Sequence, residues 1–418
     1  MRSRSPPSQS SPWRTYFGPY NGYSSPTTPR TQEISKWMCA MQGTPYQGPE
    51  IQAASEQQHS HSATDDPTRP AVDCVPVEAA AAALGSESQT APRIADRPDR
   101  RSSAEWLQSL RLWHHYTTQT CYVLPRSKHH VQVWKTAVLE AAHSHAFLMD
   151  GMLAIAASHY AFVYPQHRNE YTLISMEYQT RAIEWFATRL DHMNDDNCDA
   201  YFFLACVIFM LSLCSIAQSG SMGVTITCSD IAQSLSLLQG IRGILDYKPI
   251  ERWPAENTEL AILFRNPRTA VETRIESPFS ARLDTINPLL DTLPQGLEVM
   301  NTRSVCLLAL DTLRTTHRAC KNVQPDEATV WRWPFTLPPS FLGLISGGQP
   351  VALIILAHFA ALVRSYEHVT WSSKGWGINV MLVVERALGQ EWQAWIEWPK
   401  YSLKNEIDID SMDLDVNT

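Results

Sequence analysis

The stretch PVALIILAHFAALVRSYEHV, residues 350–369, decides the fold of this chain. Pro350 suits the first turn of a helix, because its fixed φ angle is already helical and its missing N–H would be unpaired there anyway. The thirteen residues that follow are apolar except for His358. The stretch therefore predicts a long apolar helix that begins at Pro350.

A tryptophan-rich segment follows this helix, in the words WSSKGWG (371–377) and QEWQAWIEWP (390–399). Tryptophans at this spacing pack in a core more often than they line a ligand site. Beside Gly375 and Gly377, however, they also form a large rigid aromatic surface that suits flat apolar ligands. The five tryptophans are Trp371, Trp376, Trp392, Trp395 and Trp398.

Helical periodicity extends back from this segment to Ala104, and no convincing run of strands interrupts it. The fold class predicted is therefore all-α. Prolines break the segment 250–300 into short helices and loops, and 331–339 is predicted to be a proline–aromatic loop. The other predicted helices cover 104–120, 131–142, 144–160, 169–191, 199–217, 228–245 and 301–322.

Residues 201–217, YFFLACVIFMLSLCSIA, are the only stretch predicted from the sequence to be able to span a membrane. The stretch carries no charge but falls short of the roughly 20 residues that a bilayer core requires. Ser212 and Ser215 also interrupt its hydrophobicity. We interpret it as a buried core helix, so no membrane span is expected.

The composition excludes some classes of protein. Of the 418 residues, 44% are hydrophobic and 18% charged, and the net charge is −8. This balance argues against strong, sequence-independent nucleic-acid binding by the whole chain, which requires clustered lysine and arginine. The nine cysteines are odd in number and form no C-x-x-C pair, which indicates reduced thiols rather than a disulfide framework.

The chain divides into three parts by composition. Residues 1–103 are rich in serine, proline and glutamine, and such a segment cannot offset the entropy of ordering, so a disordered arm is expected. Residues 104–400 form the predicted helical regulatory domain. Residues 401–418 form a short tail in which five acids alternate with apolar residues between 406 and 416. The tail resembles acidic activation segments, where acids keep hydrophobic side chains exposed for a co-regulator; a solvated tail without function is the alternative.

Catalytic and cofactor signatures are not found in the sequence. No phosphate-binding glycine loop, H-E-x-x-H or G-x-S-x-G occurs. The histidines of 114–115, 129–130 and 143–145 are one or two residues apart and so point to different faces of a helix, where they cannot clamp one metal ion. Catalytic residues, metal and cofactors are therefore all predicted to be none, and the chain is predicted not to be an enzyme.

Several unusual short motifs occur in an order that resembles the regulatory domain of fungal zinc-cluster transcription factors, most of all the sterol uptake control protein subfamily. The resemblance extends from about Trp106 to Pro399. It is carried by LWHHYTT (112–118), AHSHAFLMDGMLA (142–154), AASHY (156–160), residues 354–362, 371–377 and 392–399.

The resemblance implies an all-helical domain that binds a sterol-like ligand or transcriptional co-regulators, and a location in the nucleus. In that family a six-cysteine zinc cluster and a basic linker bind DNA. Here only Cys39 and Cys74 precede residue 121, and two thiols cannot hold two zinc ions. Residues 1–104 carry ten basic and ten acidic side chains, so no basic arm compensates. Direct DNA binding is therefore not expected, unless a partner or coding sequence upstream of Met1 supplies it.

The ligand site is predicted at Gly375, Trp376 and Gly377, as the wall or lid of an apolar cavity, with Trp371 and Met381 beside them. Glycines let the backbone turn while the indole packs inward. An aspartate at 377 is then expected to change the ligand response of a domain that remains folded. An all-α enzyme acting on an apolar molecule, or an interaction scaffold without ligand, are the alternatives.

Limited proteolysis should leave a protected fragment of about residues 104–400, because cleavage concentrates where the backbone is not packed. Mass spectrometry of the resistant fragment measures its ends. Protection of a fragment within residues 1–100 would contradict the predicted division.

Overall fold

The structure is a computed structural model that describes residues 103–124, 130–189, 192–248, 277–294, 301–322, 327–368, 370–405 and 409–410. The predicted N-terminal arm and most of the acidic tail lie outside these ranges. The described residues from Leu110 onward form one compact unit, and residues 103–109 fall in a second. Every element within the described ranges is helical, so the all-α prediction is confirmed.

Seventeen α-helices, one π-helix and three 3₁₀ helices make up the described ranges. The π-helix is Tyr116–Thr120, and the 3₁₀ helices are Pro165–His167, Gly220–Met222 and Gln390–Ile396. The α-helices are α1 Ser103–His115, α2 Cys121–Val123, α3 Val131–Lys135, α4 Ala137–Ser144, α5 Ala146–Val163, α6 Arg168–Arg189, α7 Cys198–Gln218, α8 Cys228–Tyr247, α9 Pro278–Asp284, α10 Asn287–Asp291, α11 Thr302–Asn322, α12 Glu327–Val330, α13 Arg332–Thr336, α14 Pro339–Ser346, α15 Pro350–Arg364, α16 Trp376–Ala387 and α17 Glu397–Asn405.

Helix α15 is the centre of the C-terminal half. All thirteen residues from 351 to 363 are buried, as expected of a helix that is apolar on every face. Helices α11, α14, α16 and α17 surround it. Full burial of each leucine or isoleucine contributes about 1.5–3 kcal/mol to folding before entropy is counted, so this helix is a major source of stability.

Helix α7 holds the N-terminal half together. It packs against α5, α8 and α16, while α6 runs back along α5. By length and composition both α5 and α7 could cross a membrane, as could α14 and α15 if taken as one bent span. The prediction of a single candidate span was therefore wrong. In the structure 67% of the apolar window of α5 and 78% of that of α7 are buried among other helices.

Helix α8 begins with a capping box, in which the Thr227 hydroxyl accepts from the N–H of Asp230 and the Asp230 carboxylate accepts from the N–H of Thr227. Two local predictions differ from the structure. The predicted loop 331–339 contains the short helix α13 and the first residue of α14, because proline suits the first turn of a helix. The predicted helix 131–142 is divided at Thr136.

The described part of the tail differs from its prediction at two apolar residues, because α17 extends to Asn405 and buries Leu403, and Ile409 is buried as well. Ile409 is 4% exposed and belongs to the hydrophobic core, although the acidic tail was predicted to keep its apolar side chains exposed. The neighbouring Asp410 forms ion pairs with helix α11. Tertiary contacts therefore override the local polarity of the segment at this point.

Four histidines of the described ranges are buried: His115, His159, His317 and His358. Burial lowers the pKa of His115, His159 and His358 from 6.5 to about 4, because the charged imidazolium loses its hydration. A charge on His115 would also oppose one on His159, since their rings are hydrogen-bonded at 3.1 Å. All three are therefore neutral in the folded protein at physiological pH.

The free energy of unfolding should fall as the pH is lowered from 6.5 to about 4. In this window the unfolded chain binds protons at the three histidines and the folded chain does not, so acid favours the unfolded state. Each histidine contributes at most about 1.4 kcal/mol per pH unit. Urea unfolding at a series of pH values measures the slope. His358→Phe should reduce it, and a slope unchanged by this substitution would contradict the assignment.

Candidate functional site

The sequence motifs that carry the resemblance come together in one buried cluster. His115 Nε2 lies 3.1 Å from His159 Nδ1, and the Thr120 hydroxyl lies 3.0 Å from the same nitrogen. Thr120 ends the π-helix, whose wider turn changes the direction of the side chains that follow it. The two segments 112–118 and 156–160 are thus joined through polar contacts inside an apolar core.

Trp371 brings a third motif, residues 371–377, into this cluster. Its ring centroid lies 4.9 Å from that of His159 and 5.7 Å from that of Phe162, so it packs against helix α5. The indole nitrogens of Trp371 and Trp376 are buried and have no hydrogen-bond partner within the described part of the chain. Trp371 therefore packs in the core, and its indole N–H is a buried hydrogen-bond donor without an acceptor in the described part of the chain.

The turn between α15 and α16 is built around the carboxylate of Glu367, which is buried. Its Oε2 accepts from the N–H of Gly375 at 2.8 Å, and its Oε1 accepts from the N–H of Gly377 at 2.7 Å. The guanidinium of Arg364 donates to Oε2 at 2.7 Å. The carboxylate thus caps the N-terminus of α16, where unpaired N–H groups and the helix dipole favour negative charge.

The two positions of this turn require glycine for different physical reasons. Gly375 adopts φ +97°, a conformation that side chains with a Cβ rarely tolerate. At Gly377 a Cβ would lie 2.8 Å from the carbonyl oxygen of Ala360 and 3.1 Å from Glu367 Oε1. Helix α16 can therefore approach α15 this closely only because residue 377 has no side chain.

The five predicted site residues are all close to this turn, and their side chains are packed. Trp376 is fully buried, with its ring 5.2 Å from that of Trp331, and Met381 is 5% exposed. None of the five lines the groove described below. Sequence reasoning located the turn, and the structure fills its interior with aromatic rings.

Asn379 connects the turn to the C-terminal end of α7. Its side-chain amide donates to the carbonyl oxygens of Ile216 at 3.0 Å and Ala217 at 2.8 Å. These carbonyls belong to the last turn of the helix, where the regular backbone bonds end, and that of Ile216 also accepts from Ser219. The hydrogen bonds of Asn379 therefore fix the end of α7 relative to α16.

A groove of about 590 Å³ lies beside this end of α7. Its volume falls in the range of about 300–1,000 Å³ that is usual for small-molecule sites. Met176 and Val224 at its edge are 57% and 54% exposed, so the groove is open to solvent. Its lining comes from α5 (Ser158), α6 (Thr172, Ser175, Met176, Gln179, Thr180, Ile183), α7 (Ile208, Leu211, Ser212, Cys214, Ser215, Ile216, Gln218), the connection to α8 (Ser219, Met222, Val224, Thr225, Ile226) and α8 (Asp230, Gln233, Ser234, Leu237).

The groove is polar without being charged. Among its described lining residues there is no lysine or arginine, and the one carboxylate, Asp230, already caps α8. The other polar groups are mainly hydroxyls and amides, and the Ser212 and Ser234 hydroxyls in the lining are hydrogen-bonded to each other at 2.8 Å. Such a surface can accept and donate hydrogen bonds beside apolar contacts, and it offers no counter-ion.

Sequence reasoning missed the groove, although a signal was present. The lining residues of α7 include Ile208, Leu211, Ser212 and Ser215, which repeat with the period of a helix. Ser212 and Ser215 were interpreted only as interruptions of an apolar stretch. One polar stripe on a buried helix does not reveal which other helices complete a site.

Metal chemistry has no support in the described ranges, where no group of three or more histidine, cysteine or acidic side chains could hold an ion. The seven cysteines that the structure describes form no disulfide with one another. Burial raises the pKa of the Cys306 thiol to about 12, so this thiol is not a nucleophile at physiological pH.

Comparison with known proteins supports the resemblance. Residues 111–266 match the family model of the fungal specific transcription factor domain. The chain is 22% identical over 305 residues to the orsellinic acid/F9775 biosynthesis cluster protein D of Emericella nidulans, covering 68% of this chain and 59% of that protein. It is 25% identical over 329 residues to a Zn(2)-C6 fungal-type transcription factor of Gibberella zeae, covering 74% and 64%.

A third relative is sterol uptake control protein 2 of Saccharomyces cerevisiae, 24% identical over 277 residues, which are 62% of this chain and 28% of that protein. The chain thus spans less than two thirds of the length of each of these relatives. The predicted resemblance to zinc-cluster regulatory domains is confirmed, and the names point to transcription factors rather than to enzymes.

Gly377→Asp should destabilise the domain by about 3–5 kcal/mol, because the new side chain meets a backbone carbonyl and adds a charge beside Glu367. This replaces the expectation that the domain remains folded. Glu367→Gln should cost about 2–3 kcal/mol through weaker hydrogen bonds.

Urea unfolding measures both effects, with Glu397→Gln on the exposed first turn of α17 as the matched control. The control should change stability by less than about 0.5 kcal/mol. Wild-type stability of Gly377→Asp would show that the turn is not packed in this way.

Proposed function

We propose that this chain, which carries a fungal specific transcription factor domain over residues 111–266, regulates transcription of metabolic genes in the nucleus and responds to a small molecule bound in the groove beside α7. The groove of about 590 Å³ is the observation that carries the proposal. The relative named for an orsellinic acid biosynthesis cluster supports a role in controlling a biosynthetic gene cluster.

The lining of the groove indicates an uncharged, largely apolar ligand that carries oxygen atoms, such as a sterol-like molecule. Ile208, Leu211 and Leu237 supply apolar contacts, and Ser212 and Ser234 supply hydroxyls. A buried anion would require a cationic partner, which the described lining lacks. The volume accommodates a ligand of several fused rings.

A ligand in the groove can act on the rest of the domain through the end of α7. Ser215, Ile216 and Gln218 line the groove, and the carbonyl of Ile216 accepts from Asn379 on α16. A molecule seated against these residues thus bears on the same helix turn that Asn379 holds. The residues predicted from the sequence, Gly375 to Gly377, then do not line the groove. They position the helix whose Asn379 holds one end of it.

A ligand-free scaffold for co-regulators is the other function considered from the sequence. The groove favours ligand binding over that alternative, because a concave surface formed by several helices gives a small molecule far more contact than a flat helix face does. The match to transcription factors favours regulation over the all-α enzyme.

Ser215→Trp should weaken binding of a fluorescent sterol roughly tenfold or more, because the indole fills the groove. Ser215 is exposed, so the substitution should leave the fold intact. Thr315→Trp, on the exposed face of α11, is the matched control and should bind as the wild type does. Fluorescence titration measures the affinities, and circular dichroism checks the fold.

A sterol sulfate should bind more weakly than the uncharged sterol, by roughly tenfold or more, since the sulfate finds no counter-ion. Reporter output of the chain fused to a heterologous DNA-binding domain should lose its response to the sterol in Ser215→Trp alone. Equal affinity of Ser215→Trp and wild type would exclude the groove, and absence of any wild-type binding would exclude a ligand of this class.

A further inference from the structure

Residues 409–410 are held against helix α11 by an ion-pair cluster outside the groove. Asp410 Oδ2 lies 3.1 Å from His317 Nε2 and 2.8 Å from Lys321 Nζ. The His317 side chain is 1% exposed and that of Lys321 is 38% exposed, so the cluster reaches from the core to the surface. One carboxylate thus receives two donors that are one helix turn apart.

The buried half of the cluster is fixed by further contacts. His317 Nδ1 lies 3.4 Å from the hydroxyl of Ser277, and its ring packs 4.7 Å from that of Phe279. Burial alone would raise the pKa of Asp410, but the hydrogen bonds from His317 and Lys321 outweigh it, and the pKa lies below its ordinary value. Asp410 is therefore charged at physiological pH and held in place.

A Ser277–His317–Asp410 chain has the residue types of a hydrolase triad, but its geometry does not fit that role. Ser277 is the N-cap of α9 and its oxygen accepts from the N–H of Ser280 at 3.1 Å. It is also 4% exposed, so a substrate cannot reach it. The chain of contacts positions His317 for Asp410 and nothing else.

The anchored residues lie in the middle of the acidic segment 406–416. Ile409 is buried in the core beside Asp410, so both an apolar and an acidic member of the alternating pattern are engaged by the domain. An acidic activation segment works by offering such residues to a partner. A segment whose central pair is bound to its own domain cannot offer that pair at the same time.

We propose that the α11 surface formed by His317 and Lys321 is a docking site for the chain's own acidic tail, and that docking withholds the tail from co-regulators. The occupant is the tail itself, because Ile409 and Asp410 already sit there. Docking involves neither α7 nor the ligand, and its effect on output rests on the transcriptional role proposed above. Release of the tail then raises transcriptional output.

The test uses Asp410→Asn and Lys321→Ala in the full chain fused to a heterologous DNA-binding domain. Lys321 is partly exposed, so its replacement should not unfold α11. Each substitution removes a charge-assisted bond and should raise opening of the docked tail roughly fivefold. Hydrogen exchange of the 409–410 amides measures opening, and protection of α15 checks the core.

Matched controls remove the same charges elsewhere. Asp413→Asn neutralises another acid of the tail, and Arg318→Ala removes a cation from the exposed face of α11. Both should leave the exchange of 409–410 unchanged. Deletion of residues 406–418 should abolish output if the tail is the activating segment.

Faster exchange at 409–410 together with higher reporter output, in both variants and in neither control, is the expected result. Unchanged exchange in Lys321→Ala and Asp410→Asn would overturn the docking site. Faster exchange with equal or lower output, or full output after deletion of the tail, would overturn the withholding role.

Discussion

The carboxylate of Glu367 is the group on which the arrangement of the C-terminal helices depends. A buried carboxylate is costly unless its oxygens are satisfied, and here Arg364 and the N–H groups of Gly375 and Gly377 satisfy them. The same bonds start helix α16 close to the end of α15. Trp376 then enters the core, and Asn379 on the next turn reaches α7. One anion thus connects the central helix to the N-terminal half.

The groove results from the packing of α7 rather than from a special loop. Helix α7 is buried on most faces, yet it presents Ser212 and Ser215 on one side, and Ser219 follows directly after its end. Small hydroxyl side chains leave space there, while α6 packs on α5 and α8 packs on α7. The groove and the glycine–tryptophan turn are therefore structurally connected. The connection is the hydrogen bonding of Asn379 to the carbonyls at the end of α7.

The two polar clusters of the domain have different roles in this arrangement. His115 and His159 are neutral and join α5 to the end of α1 inside the core, where a charge would be destabilising. His317 faces a carboxylate at the boundary of the core, where a charge can be paired. The first cluster stabilises the body of the domain, and the second binds a segment that reaches it from the C-terminal end.

The sequence by itself determined the helical class, the central helix from Pro350, the buried helix near 201–217 and the resemblance of words that later meet at His159. These depend on periodicity and residue type, which act over a few turns of one helix. Only the tertiary structure decided that Glu367 caps a helix that starts nine residues later, that stripes on α6, α7 and α8 face one groove, and that Ile409 is buried. Such convergence depends on the angles and distances at which helices pack, and no single segment of the chain encodes them.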